Sequence, residues 1–174
     1  MNNIYKNQAI KLVTNIIEEN NFLPKWFFSI HYISNRAIYH DKNHTQFRIK
    51  NETNTLEKVE REFRHFKNIL LCRAYNKSSV NKISYNKFRF ISFYETGEAN
   101  YAYHNHIIVE NIPEFDTQEE VDKLLKVVQL KHPGIENSCD SVDVRPYQNR
   151  HISYCLKTAT RYYLPLDLIN SDIN

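Results

Sequence analysis

The sequence predicts an α+β fold, a largely antiparallel sheet with helices packed against one face. Three observations carry this. Apolar residues recur at helical spacing in four stretches, and short apolar runs of strand length stand between them. The two central runs are joined by a five-residue turn that brings the second back alongside the first. A length of 174 residues is enough for a single domain, residues 1–174, with one core.

Residues 4–19 place Ile10, Leu12, Val13, Ile16 and Ile17 on a helical period, and Pro24 marks the exit. Trp26 to Ile33 reads as a strand, dense in aromatic and β-branched side chains. The polar stretch 34–52 is expected to be a mobile loop. A second helix is predicted over 55–75, where Leu56, Val59, Phe63, Phe66, Ile69 and Leu70 share one face. Phe88 to Tyr94 and Tyr101 to Val109 form a hairpin around Thr96-Gly97-Glu98-Ala99-Asn100. Thr117-Gln118-Glu119-Glu120 is a capping box, in which hydroxyl and carboxylate each satisfy a free backbone N–H. It opens a helix running to about Leu130, ended by Pro133-Gly134. Ser141 to Arg145 alternates as a fourth strand. Asn149 to Tyr163 reads as the last helix, stopped before Pro165. From first strand to fourth the order is that of the split βαβ, ferredoxin- or RRM-like arrangement, with one sheet face open for a ligand.

A net charge of +3 is too small to identify a nucleic-acid partner by itself. Aromatic residues make up 13% of the chain, twelve of them Tyr, which suits core packing first and base stacking second. Two Gly and five Pro argue against a disordered or linker-rich chain. Cys72, Cys139 and Cys155 form no CxxC pair, so neither a zinc ribbon nor a disulfide framework is expected. No run approaches the roughly 18 apolar residues needed to cross a membrane. The expectation is a soluble, reduced, cytoplasmic protein.

The chemistry gathers in two places. His104 and His106 are two apart on a strand, so their imidazoles share a face and Asn105 points the other way. A carboxylate returned by the preceding turn, Glu95 with Glu98 as the alternative, completes a set able to hold one divalent cation. Tyr154 and Lys157 are three apart, on one face of the last helix. Cation, phenol and ammonium together suit cutting a phosphodiester through a covalent tyrosine intermediate.

Phe27-Phe28-Ser29-Ile30-His31-Tyr32, then Glu95-Thr96-Gly97 with His104-Asn105-His106, then Tyr154-Cys155-Leu156-Lys157, resembles the three ordered motifs of the HUH endonucleases. The likeness is greatest to the replication initiators of rolling-circle plasmids and small single-stranded DNA viruses. It covers residues 26–163 as a catalytic core, with residues 1–25 as a helical extension. The resemblance implies metal ligands at Glu95, His104 and His106, a nucleophile at Tyr154 and its companion at Lys157. It implies Mg²⁺ or Mn²⁺, and two imidazoles favour Mn²⁺. It further implies a single-stranded origin substrate, hairpin or AT-rich, a host helicase and polymerase as partners, and a covalent 5′-phosphotyrosine. Lys87, Arg89, Arg145 and Arg150 are candidate phosphate contacts.

The chain departs from the family pattern at three points. Asn105 stands where a hydrophobic residue is usual, and an effect on packing is expected from it. Ser29 and His31 stand where Thr is frequent. Tyr162 and Tyr163 have no lysine in the matching place, so a single-tyrosine enzyme is expected. A single-tyrosine transposase and a non-catalytic origin-binding protein on the same fold are the alternatives.

Overall fold

The structure is a computed structural model and describes residues 3–32, 39–40, 47–48, 56–78, 89–96, 103–112, 114–132, 135, 141–159 and 163–173. Its centre is a five-stranded sheet built from β1 (Trp26–His31), β4 (Phe90–Thr96), β5 (Tyr103–Val109), β6 (Val142–Pro146) and β7 (Leu166–Asp172). The strand order is β6-β1-β5-β4-β7 and every neighbouring pair runs antiparallel. The α+β class and the predicted hairpin are therefore both present. Two short strands, β2 (Tyr39–His40) and β3 (Phe47–Arg48), pair within the stretch expected to be a loop. The rest of that stretch lies outside the described residues.

Strand alternation decides what each sheet face meets. Trp26, Phe28 and Ile30 point to one side of β1, while Phe27, Ser29 and His31 point to the other. The first side packs under α2 (Leu56–Ala74) and α3 (Gln118–Lys131), against Val59, Phe63, Phe66, Val121, Leu125 and Val128. Burying one such side chain stabilises the fold by about 1.5–3 kcal/mol. The expectation that the opposite face is open needs correction. At one end that face is apolar, with Phe27, Ile91, Phe93 and Ile108, and such a surface requires cover. Ala9 and Val13 of α1 (Asn3–Glu19) and Ile152 and Cys155 of α4 (Arg150–Cys155) provide it. The N-terminal helix thus belongs to a core cluster of its own.

Helix ends follow from local chemistry. Thr117 and Glu120 form the predicted capping box on α3. After α1, Asn21 adopts φ 49°, with Phe22 N–H donating to Ile17 O at 2.9 Å. Asn76 repeats this after α2 at φ 48°, with Lys77 N–H donating to Cys72 O at 2.8 Å. Both are left-handed C-terminal caps, a role glycine usually takes, filled by asparagine in a chain with two glycines.

The last helix is shorter than predicted. Ile152, Cys155, Leu156 and Ala159 are spaced as on a helix and all are buried. Beyond Cys155, however, Lys157 N–H donates to Tyr154 O and Ala159 N–H to Leu156 O, three-residue turns that tighten and end the helix. Tyr163 therefore lies past the helix, donating to Tyr94 O at 3.2 Å. β7 was not foreseen. It pairs with β4 across an irregularity between Phe90 and Ser92. Among the described residues no helix is long and apolar enough to cross a membrane. Cys72 and Cys155 are free thiols, and Cys139 lies outside the described residues.

Candidate metal centre and active site

The polar end of the second sheet face carries the predicted cluster. Glu95 and His104 are directly opposed in the β4–β5 register, and His106 lies two residues along β5. One carboxylate oxygen, Glu95 Oε2, is 2.9 Å from His106 Nε2 and 3.1 Å from His104 Nε2. All three ligand atoms lie within 4.8 Å of one another. Neighbouring ligands of an octahedral ion with bonds of about 2.1 Å stand about 3.0 Å apart. The spacing and the donor set fit one divalent cation, so the cluster can hold a metal ion. Of the two acids proposed from sequence, Glu95 is in place, and Glu98 lies outside the described residues.

The cluster is almost sealed from solvent, with Glu95 5% and His106 2% exposed. Burial alone would raise the Glu95 carboxyl. Hydrogen bonds from His104, His106 and Lys157 outweigh it and hold the group well below the usual carboxylate range, so it is ionised. Burial pushes His106 below its ordinary value, partly offset by Glu95, so its ring is neutral near pH 7.

Tyr154 of α4 and Lys157, in the turn that follows it, come to the same place. The Tyr154 ring lies edge-on to His106 at 5.0 Å between centroids and 6.4 Å from Phe27. It is 45% exposed, half open to an incoming ligand. The Lys157 ammonium ion-pairs with Glu95 Oε1 and sits 4.3 Å over the Tyr154 ring. It bridges carboxylate and phenol rather than standing free. Burial opposes its charge, but Glu95 more than compensates and raises its pKa.

One contributor, His151, was not foreseen; Ser29 and His31 of the first motif join it, and Asn105 points away as expected. His151 stacks on Phe27 at 4.2 Å and 12°, and its Nδ1 accepts from Gln148 N–H at 3.0 Å, fixing the start of α4 on β1. Its position three residues before Tyr154 was the available signal. His31 stacks on His104 at 4.8 Å. Ser29 Oγ is 3.0 Å from His106 Nδ1. Asn105 points away from the cluster, donating to Ser92 Oγ at 3.2 Å within the opposite core layer.

The basic candidates divide. Arg145 and Arg150 line a cleft of about 360 Å³ with Phe27, His151 and Tyr154, and Arg145 Nε donates to Asp143 at 2.6 Å. Arg89 is elsewhere, which corrects its assignment as a phosphate contact. Its guanidinium donates to Asn20 O at 2.6 Å, Ile173 O at 2.8 Å and Glu110 at 3.0 Å, tying the end of α1 to the C-terminal segment. Lys87 and Tyr162 lie outside the described residues.

No family model matches the chain, and neither a curated protein nor a solved structure matches it.

Proposed function

We propose that the chain is a rolling-circle replication initiator of the HUH type, a metal-dependent endonuclease and strand transferase for single-stranded origin DNA. The strand order β6-β1-β5-β4 supports a split βαβ core, extended at its edge by β7. The observation that carries the proposal is the convergence at His106. A half-exposed phenol on α4, an ammonium in the turn after it and a three-ligand cluster on β4 and β5 meet in one place.

In this reading Tyr154 directs its oxygen at a scissile phosphate. Lys157 lies beside the phenol and favours loss of its proton to solvent as the new P–O bond forms. The 3′ oxygen leaves and takes up a proton, giving a 5′-phosphotyrosine and a free 3′-hydroxyl. One ester replaces another, so the reverse attack rejoins the strands without a nucleotide cofactor. Glu95, His104 and His106 would hold a divalent cation, Mn²⁺ or Mg²⁺, which would supply polarisation of the phosphate oxygens. Arg145 and Arg150 beside the cleft suit the flanking backbone phosphates. A helicase and polymerase of the host cell would extend the 3′ end.

The test is incubation with pooled single-stranded oligonucleotides and Mn²⁺, followed by a denaturing gel. A slow protein–DNA adduct is expected, lost with chelator and absent in Tyr154→Phe. Adducts that persist in Tyr154→Phe would remove the phenol from the reaction. A binder that forms none would be the non-catalytic alternative.

A further inference from the structure

The ligand cluster and Tyr154 occupy the second sheet face, and the helical layer on the first face carries a cleft of its own. Between the ends of α2 and α3 lies a hollow of about 590 Å³, whose lining includes His65, Asn68, Arg73, Lys77 and Lys131. Arg73, Lys77 and Lys131 are all exposed. Among the described residues no carboxylate lines the hollow and none pairs with these three cations. Earlier on α3, by contrast, Lys123 and Lys126 hold Glu119 and Asp122 at 2.6 Å. The sequence is as lopsided. Residues 63–94 contain seven Lys and Arg and no Asp or Glu, while the remainder of the chain has 16 Lys and Arg against 20 Asp and Glu. A chain of net +3 thus gathers its positive charge in one stretch, beside a remainder of net −4. Of the seven, Arg89 serves the fold and Lys67 lies half-buried over Phe90. Arg73 and Lys131 end their helices, where a cation suits the last carbonyls. That role accounts neither for Lys77 nor for the missing acids.

We propose that this hollow is a docking surface for the phosphate backbone of duplex DNA, holding a paired stem on the helical layer while an unpaired segment meets Tyr154 across the sheet. The lining chooses between the two kinds of DNA. Unpaired bases expose their flat faces and bind where aromatic rings can stack on them. The cleft beside Tyr154 offers such rings, among them Phe27 and His151. No Phe, Tyr or Trp lines the helical hollow among the described residues, and cations and amides take their place. In a duplex the bases stack on one another, and the outside presents two rows of phosphates. Guanidinium, ammonium and amide N–H groups contact those phosphates without reading sequence. The surface therefore fixes where a stem lies, and not which stem it is. The inference takes from the proposed function only that the partner is DNA; no reaction at Tyr154 enters it.

The experiment measures fluorescence anisotropy of the full chain with a short duplex and with a single strand of equal length, over a range of salt. Wild type is expected to bind the duplex, more weakly as salt rises. Combining Arg73→Gln, Lys77→Gln and Lys131→Gln should weaken duplex binding about 10-fold or more and flatten the log–log salt slope by about 2–3, as loss of three phosphate contacts requires. Single-strand affinity of that variant should stay within about 3-fold of wild type. Equal duplex affinity in the variant, no duplex binding by wild type, or an equal loss for the single strand would each overturn the inference. The last result would make the hollow a track for unpaired DNA. Should the triple variant fail to fold, amine acetylation of wild type decides. Duplex should shield Lys77 and Lys131 and leave Lys123 and Lys126 labelled, and unchanged labelling of all four would overturn the inference. A chain that docks duplex here but forms no DNA adduct refutes the nuclease reading and leaves this one standing. Adducts formed alongside undiminished duplex binding in the triple variant refute this one alone.

Discussion

Glu95→Gln is the sharpest perturbation of the cluster, because it keeps the volume and removes only the charge. The lost carboxylate touches both imidazoles at 2.9 and 3.1 Å and neutralises Lys157. With Mn²⁺ at about 100 times its dissociation constant, binding to the folded state alone stabilises wild type by about 2.7 kcal/mol. At about 2–4 °C per kcal/mol for a domain of this size, the melting temperature should rise by about 5–10 °C. In Glu95→Gln the amide oxygen is a poor ligand, and its NH₂ faces ring nitrogens or an ammonium. The metal-dependent rise should vanish. In chelator the variant should already be about 1–3 kcal/mol less stable, the range for disturbing a buried polar group. Thermal melts in Mn²⁺ and in chelator measure both effects. A variant that keeps the full wild-type rise would refute the argument, leaving the three residues a hydrogen-bonded core rather than a metal site.

Arg89→Ala should lower stability by about 2–4 kcal/mol in urea titrations, since its side chain is 18% exposed and holds the backbone carbonyls of Asn20, Asn21 and Ile173 together with Glu110. Oligonucleotide affinity and its salt dependence should be unchanged, and a weakened affinity would return Arg89 to the phosphate contacts. Burial, with His65 nearby, lowers the pKa of His132 despite its hydrogen bond to Glu62 O at 2.9 Å. The unfolded chain therefore binds the proton first. The contribution of His132 is complete above about pH 6.5 and declines as pH falls below it, at no more than about 1.4 kcal/mol per unit. Urea melts between pH 7.5 and 5 should show a shallower acid loss in His132→Gln than in wild type, and equal slopes would discount His132.

Much of the site was legible because short-range geometry places it. The pleat alone puts His104 and His106 on one face, and the turn alone returns Glu95 beside them. α2 and α3 were equally legible, since their apolar stripes are regular and Thr117 announces a start. The losses came where tertiary contact overrides local pattern. Leu156 and Ala159 keep a helical spacing but are buried by turns, so the period misleads beyond Cys155. β7 contains Asp167 and Ser171 and has little apolar alternation to read. Its pairing with β4 is a long-range event that no local window contains. Arg89 looked like a surface cation because its partners at Asn20 and Ile173 are distant in sequence. The cover on the second sheet face was missed for a related reason: nothing near Phe27 or Phe93 signals that α1 returns to them.

α4 has six residues, too few to persist as a helix without the sheet beneath it. What anchors it is the His151 ring on Phe27 and the neighbouring cluster that α1 helps to close. Imidazoles and carboxylate, by contrast, are built into paired strands. The three-residue cluster and the arm that carries Tyr154 are thus held by different parts of the fold. If the proposed function holds, shaving away the first helix should slacken the arm while sparing the ligand cluster, so that adduct formation is lost and Mn²⁺ binding is kept.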